Sequence, residues 1–200
     1  ITMGDAFGQA LAKYSTGTKC ALEIGGGFGD GSTQCIKSQE LYSVENHPEN
    51  IPRHSSNLAA RWGGNALHFN ATPRDRWMTA DDVTRFYNST PTRLNQYPLS
   101  MVLSWLEEDH ETAAGKRTIS LAENTHPKFD FVLIDGCPFS AQSELAAVRG
   151  RLAPGAFIAL DDVVDIKNHA NYHALKSEPG VRLVWEDLSL RNGAAIFQLP

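Results

Sequence analysis

Only three cysteines, Cys20, Cys35 and Cys137, occur in 200 residues. Their spacing fits no zinc pattern, and an odd number cannot complete a disulfide framework, so neither device is expected to staple the fold. Positive charge is also in short supply, with 18 Lys and Arg against 23 Asp and Glu, a formal net charge of -5. Proteins built to hold a nucleic-acid backbone are usually basic, so this balance argues against such a partner. No apolar run approaches the roughly 20 residues of a membrane span, and no charged-then-apolar leader opens the sequence. Internal repeats and low-complexity tracts are missing as well. These absences leave a single domain over residues 1–200, expected to be cytoplasmic, with a homo-oligomer as a further possibility.

What is present is an alternation of apolar runs with helix-like stretches. Residues 3–16 read as a helix, 19–24 as a strand, 31–38 as a helix, 40–45 as a strand, 47–62 as a helix and 65–69 as a third strand. Later, 129–134 and 156–160 are nearly pure apolar strands on either side of a helix over 140–152. Runs this short and this apolar indicate a parallel sheet covered on both faces. The end differs. Residues 181–187 and 194–199 are separated only by a short polar stretch containing Asn192-Gly193. No crossover helix fits there, so the last strand must return antiparallel as a hairpin. The expected fold is α/β, Rossmann-like and doubly wound, with a mostly parallel seven-stranded sheet and a C-terminal antiparallel hairpin. An insertion at about 70–128 exceeds the usual length of a connection. It reads as two helices (79–88 and 98–113) and an extra strand (117–123), and is a candidate lid or oligomer contact.

The densest signal is Glu23-Ile24-Gly25-Gly26-Gly27-Phe28-Gly29-Asp30-Gly31-Ser32, directly after the first strand. Glycine lets the chain bend sharply and lets a ligand approach where a Cβ would stand. Glu45 ends the second strand about 20 residues further on, where a carboxylate can accept hydrogen bonds from the two hydroxyls of a ribose. NAD and S-adenosylmethionine share that much. Glu23 separates them: its carboxylate would repel a pyrophosphate and attract an ammonium.

With these residues, Val44-Glu45, Phe131-Val132-Leu133-Ile134-Asp135-Gly136, Leu152-Ala153-Pro154-Gly155-Ala156 and the final hairpin, the chain resembles the class I S-adenosylmethionine-dependent methyltransferases. Within them it is similar to small-molecule O-methyltransferases, including the metal-dependent catechol type. The resemblance covers the chain apart from 70–128. It implies cofactor contacts at Glu23, Gly25, Gly27, Gly29, Ser32, Glu45, Asn46, Asn70 and Asp135. Asp135, Asp161 and Asp162 fall at the carboxyl ends of strands that would be neighbours, an all-oxygen set suited to Mg²⁺. In the metal-dependent relatives acids at these places are the ligands.

The sequence departs from that pattern after Asp135, where Gly136-Cys137-Pro138-Phe139-Ser140 contains no basic residue. His169 and His173, beyond Asp162, are the weak substitutes. The aromatics Trp77, Phe86, Tyr87, Tyr97 and Trp105 of the insertion are candidates to line an acceptor pocket. Two alternatives stand beside the methyltransferase: a non-catalytic cofactor-binding or scaffold protein, and, with less support, an NAD-dependent oxidoreductase.

Overall fold

A computed structural model describes residues 1–61, 63–116 and 128–200. Seven strands form one sheet: β1 (Cys20–Ile24), β2 (Glu40–Val44), β3 (Gly64–Leu67), β4 (Phe129–Ile134), β5 (Leu152–Asp161), β6 (Arg182–Asp187) and β7 (Ala194–Gln198). Their order is β3-β2-β1-β4-β5-β7-β6. The first five are parallel, and β7 runs antiparallel to both β5 and β6. The hairpin expected from Asn192-Gly193 is therefore present, and it slots its second strand between β5 and β6. Among the described residues seven α-helices accompany the sheet: α1 (Ala6–Ser15), α2 (Ser32–Cys35), α3 (Ile51–Ala60), α4 (Ala80–Ser89), α5 (Leu99–Ala113), α6 (Ala141–Val148) and α7 (His169–Ser177). No helix among the described residues is long and apolar enough to cross a membrane.

Side chains of a strand alternate between the two faces of a sheet, and here that alternation sorts the core into two clusters. Leu22, Ile24, Val132 and Ile134 pack with Leu145, Val148 and Tyr172 on one face. Ala21, Phe131 and Leu133 pack with Phe7, Leu11 and Leu58 on the other. All five residues of β1 are buried, as expected of a central strand covered on both sides.

The insertion builds a third cluster of its own. Val83, Leu94, Val102 and Leu106 pack with Phe139 and Ile166, which follow β4 and β5. This seats α4 and α5 beside the carboxyl ends of the central strands. The capping box of α4, in which Thr79 and Asp82 exchange hydrogen bonds, fixes where that helix starts. The extra strand expected at 117–123 lies outside the described residues. The expected helix over 31–38 is a single turn, α2, because its side chains are spent on the loop before it.

Candidate functional site

Open α/β sheets bind ligands where the strand order reverses, outside the carboxyl ends of the strands. Here the reversal falls between β1 and β4, and a cavity of about 260 Å³ opens there. It is lined by the glycine turn (Gly25, Gly27), the end of β2 (Glu45, Asn46), the segment after β4 (Asp135, Gly136, Cys137) and residues Trp77 and Asp109 of the insertion.

The glycine turn is positioned by backbone pairing. Gly25 and Gly26 both donate to the Val44 carbonyl, at 2.9 and 3.0 Å. Gly25 has φ +93°, and a Cβ there would lie 2.3 Å from the Asp135 carbonyl oxygen. Only glycine satisfies both demands. Gly27, with φ +56°, faces open space. Beside it, Glu45 Oε2 accepts from the Gly27 N–H at 2.7 Å and Oε1 from the His47 N–H at 2.6 Å. Each carboxylate oxygen has a second acceptor direction, so the carboxylate is oriented and still able to take hydroxyl donors.

Of the residues expected at the cofactor, the structure brings Gly25, Gly27, Glu45, Asn46 and Asp135 to the cavity. Glu23, Gly29, Ser32 and Asn70 stand behind its wall. Glu23 is fully buried, on the face of β1 turned away from Ile24. Its oxygens accept from the hydroxyls of Ser32 (2.7 Å), Thr33 (2.7 Å) and Ser43 (2.5 Å). Burial pushes its pKa up, and the three hydroxyls pull against that rise. The acid anchors α2 and β2 beneath the glycine turn. Gly29 instead packs toward Leu58 and Asn57 of α3. Asn70 donates to the Ala113 carbonyl at the end of α5 (2.9 Å) and accepts from Asn46 (2.9 Å), so it ties the insertion to the strand ends.

The histidines are elsewhere. His169 and His173 lie side by side on α7, ring centroids 4.4 Å apart, and line a separate groove with Thr90, Tyr172 and Lys176. His169 packs edge-on against Phe86. Neither histidine lines the cavity. Among the aromatics of the insertion, Trp77 alone lines the cavity, held by an Nε1–H bond to Thr72 (3.0 Å). Phe86, Tyr87 and Trp105 pack into the insertion's own cluster, and Tyr97 stacks edge-on against Trp105.

Two charged residues that the sequence reading passed over prove central. Glu144, on α6, lines the cavity although it is only 4% exposed. Its Oε1 accepts from the Ser140 hydroxyl (2.6 Å), while Oε2 has no partner among the described residues. Burial pushes its pKa up to about 7 against the pull of Ser140 and Lys167. A buried acceptor with no donor marks a place where a ligand or water belongs. The second is Lys167, whose Nζ donates to Asp135 Oδ1 at 2.8 Å and lies 2.7 Å from Asp162 Oδ2. Asp161 turns to Arg191 at 3.1 Å.

The glycine cradle, the oriented Glu45 carboxylate and the orphaned Glu144 oxygen fit a ligand with ribose hydroxyls and N–H donors, as S-adenosylmethionine has. The acidic cluster is different. Carboxylate oxygens of Asp135, Asp161 and Asp162 come within 4.8 Å of one another, as expected. Two of the three already hold an ammonium and the third a guanidinium, so the arrangement as it stands does not fit a divalent ion. Cys137 is no nucleophile either: burial, with Asp109 accepting from its thiol at 3.1 Å, drives its pKa up.

No family model and no curated protein matches the sequence. Solved structures do. An O-methyltransferase from Bacillus cereus in complex with S-adenosylhomocysteine superposes with a TM-score of 0.58 at 16% identity, covering 97% of this chain and 79% of that one. The fold is that of the class I methyltransferases. An O-methyltransferase of tomaymycin synthesis from Streptomyces achromogenes, in complex with S-adenosylmethionine, agrees equally well (TM-score 0.58, 14% identity, 96% and 79% covered). An rRNA methylase from Streptococcus thermophilus shares the methyltransferase fold too (TM-score 0.54, 10% identity, 97% and 95% covered). The fold therefore does not choose the acceptor.

Proposed function

We propose that the chain binds S-adenosylmethionine in the cavity at the ends of β1, β2 and β4 and transfers its methyl group to a hydroxyl of a small molecule. The observation that carries this reading is Glu45, ending β2 with its carboxylate fixed by two backbone N–H groups beside a glycine turn that no side chain obstructs. When bound, the sulfonium supplies an electrophilic methyl carbon. The chain's contribution is chiefly placement, which can supply up to about 7–11 kcal/mol when the reacting atoms are well aligned.

In this reading Glu45 accepts the ribose hydroxyls, and Gly25 and Gly27 let the amino-acid portion lie against the backbone. Asp135 marks the acceptor end, and Glu144 accepts a donor from the occupant of the cavity. Trp77 and Asp109 bring the insertion to the mouth, the placement expected of a lid. The acidic net charge supports a small-molecule acceptor over a nucleic acid.

The test is transfer of labelled methyl from S-adenosylmethionine to a panel of phenols, catechols and aliphatic alcohols. Turnover on at least one hydroxylated compound is expected. Cofactor binding with no turnover on any would favour the non-catalytic reading. Glu45→Ala should weaken S-adenosylhomocysteine binding about 30-fold or more, the worth of hydrogen bonds to a charged acceptor. An unchanged affinity in that variant would remove Glu45 from the site.

A further inference from the structure

The loop after β5 is shaped to deliver one side chain. Asp162 sits at φ +57°, in the left-handed region that few residues besides glycine, asparagine and aspartate adopt. The Asn168 side chain donates to the carbonyls of Ile134 (2.9 Å) and Asp161 (2.7 Å), pinning the far end of the loop across β4 and β5. Val163 donates to the Gly193 carbonyl at 3.1 Å, which fixes the near end. Between these anchors, Lys167 is turned back over the strand ends and buried, its side chain 13% exposed.

Its ammonium lies 2.8 Å from Asp135 and 2.7 Å from Asp162. The third acid, Asp161, faces Arg191, with Asp162 and Asp135 nearby. Three carboxylates brought this close repel one another unless cations intervene. Lys167 and Arg191 supply two positive charges, and a Mg²⁺ ion, which needs oxygens at about 2.0–2.1 Å in a near-octahedral set, would have to displace the lysine first.

We propose that Lys167 is a built-in replacement for a divalent cation: its ammonium bridges Asp135 and Asp162 while Arg191 holds Asp161, and the protein binds no divalent ion there. Lys167 is a positioning residue that holds Asp135, which lines the cavity, and Asp162 in one arrangement. For the proposed transfer, the positive charge next to the acceptor end then comes from the chain. That last consequence rests on the methyltransferase reading, whereas the exclusion of the ion does not, and it is tested without any turnover.

The experiment is electron paramagnetic resonance of Mn²⁺ with the wild-type protein, Lys167→Ala and Lys167→Arg, joined to melting curves with and without Mg²⁺. Wild type and Lys167→Arg should leave millimolar Mn²⁺ free and melt at the same temperature with or without Mg²⁺. Lys167→Ala opens the cluster, so it should bind Mn²⁺, and saturating Mg²⁺ should raise its melting temperature by about 5 °C or more. If Lys167→Ala is unfolded without the ion, its refolding yield from denaturant should recover when Mg²⁺ is added. Mn²⁺ bound by wild type and lost in Asp161→Asn would overturn the proposal. So would a Lys167→Ala protein that neither binds the ion nor is rescued by it.

Discussion

Replacing Gly25 with alanine is expected to cost about 4 kcal/mol of stability and to abolish cofactor binding. Two separate effects add. A residue with a Cβ held at φ +93° carries backbone strain of about 1–3 kcal/mol. The new methyl would also sit 2.3 Å from the Asp135 carbonyl oxygen and 2.5 Å from its carbon. Those atoms follow β4 directly, and Asp135 N–H pairs with the Ile24 carbonyl at 2.9 Å, so neither side can yield without parting β1 from β4. Overpacking of this kind adds about 1–3 kcal/mol. A domain of this size has about 5–15 kcal/mol in all. Gly27→Ala separates fold from function: nothing stands within 4 Å of the added carbon, so only the backbone strain of φ +56°, about 1–3 kcal/mol, remains, and the protein should stay folded while binding falls. Denaturant melts of both variants, beside titrations of S-adenosylhomocysteine, check this. A Gly25→Ala protein as stable as wild type would show that the glycine turn does not abut β4 as described.

The second large effect concerns Glu144 and depends on pH. Burial raises its pKa from 4.5 to about 7 in the folded chain. The native state therefore binds a proton that the unfolded chain releases between those two values. Stability attributable to this group is greatest below about pH 4.5, falls as pH rises to about 7, and changes no further above it. A shift of that size is worth about 3 kcal/mol at most, and water in the cavity reduces it. Glu144→Gln removes the titration and keeps the shape. It should melt several degrees above wild type at pH 8 and level with it at pH 4, about 2–4 °C per kcal/mol for a chain this long. Melting curves across that range decide the matter. A variant less stable than wild type at pH 8 would mean that Glu144 is held as an anion by a partner.

Much of this was legible in the residues. The apolar runs at 19–24, 129–134 and 156–160 announced central parallel strands, and Asn192-Gly193 announced the hairpin, because both signals are local. The cavity's glycines and Glu45 were legible for the same reason, since a turn and a strand end carry their chemistry in adjacent residues. The hydrogen-bonded setting of Glu23 was not legible, because alternation along β1 sends it to the face opposite Ile24, where Ser32, Thr33 and Ser43 converge on it from other elements. The burial of that face on both sides could have revealed this. Lys167 left no signal at all. It sits in a polar loop, and only the turn at Asp162, with Asn168 bridging two strands, carries it to Asp135, 32 residues away in sequence. Glu144 looked like an ordinary helix acid. It stands three residues after Ala141 and four before Val148, on the buried stripe of α6, so helical spacing was the signal that could have found it.

The central claim is that the cavity beside Glu45 holds the methyl donor. Calorimetric titration of S-adenosylhomocysteine into the wild-type protein tests it most directly, with Glu45→Ala alongside and EDTA present throughout. Binding to wild type is expected, undiminished by the chelator and about 30-fold or more weaker in the variant. No heat of binding with correctly folded wild-type protein would contradict the account.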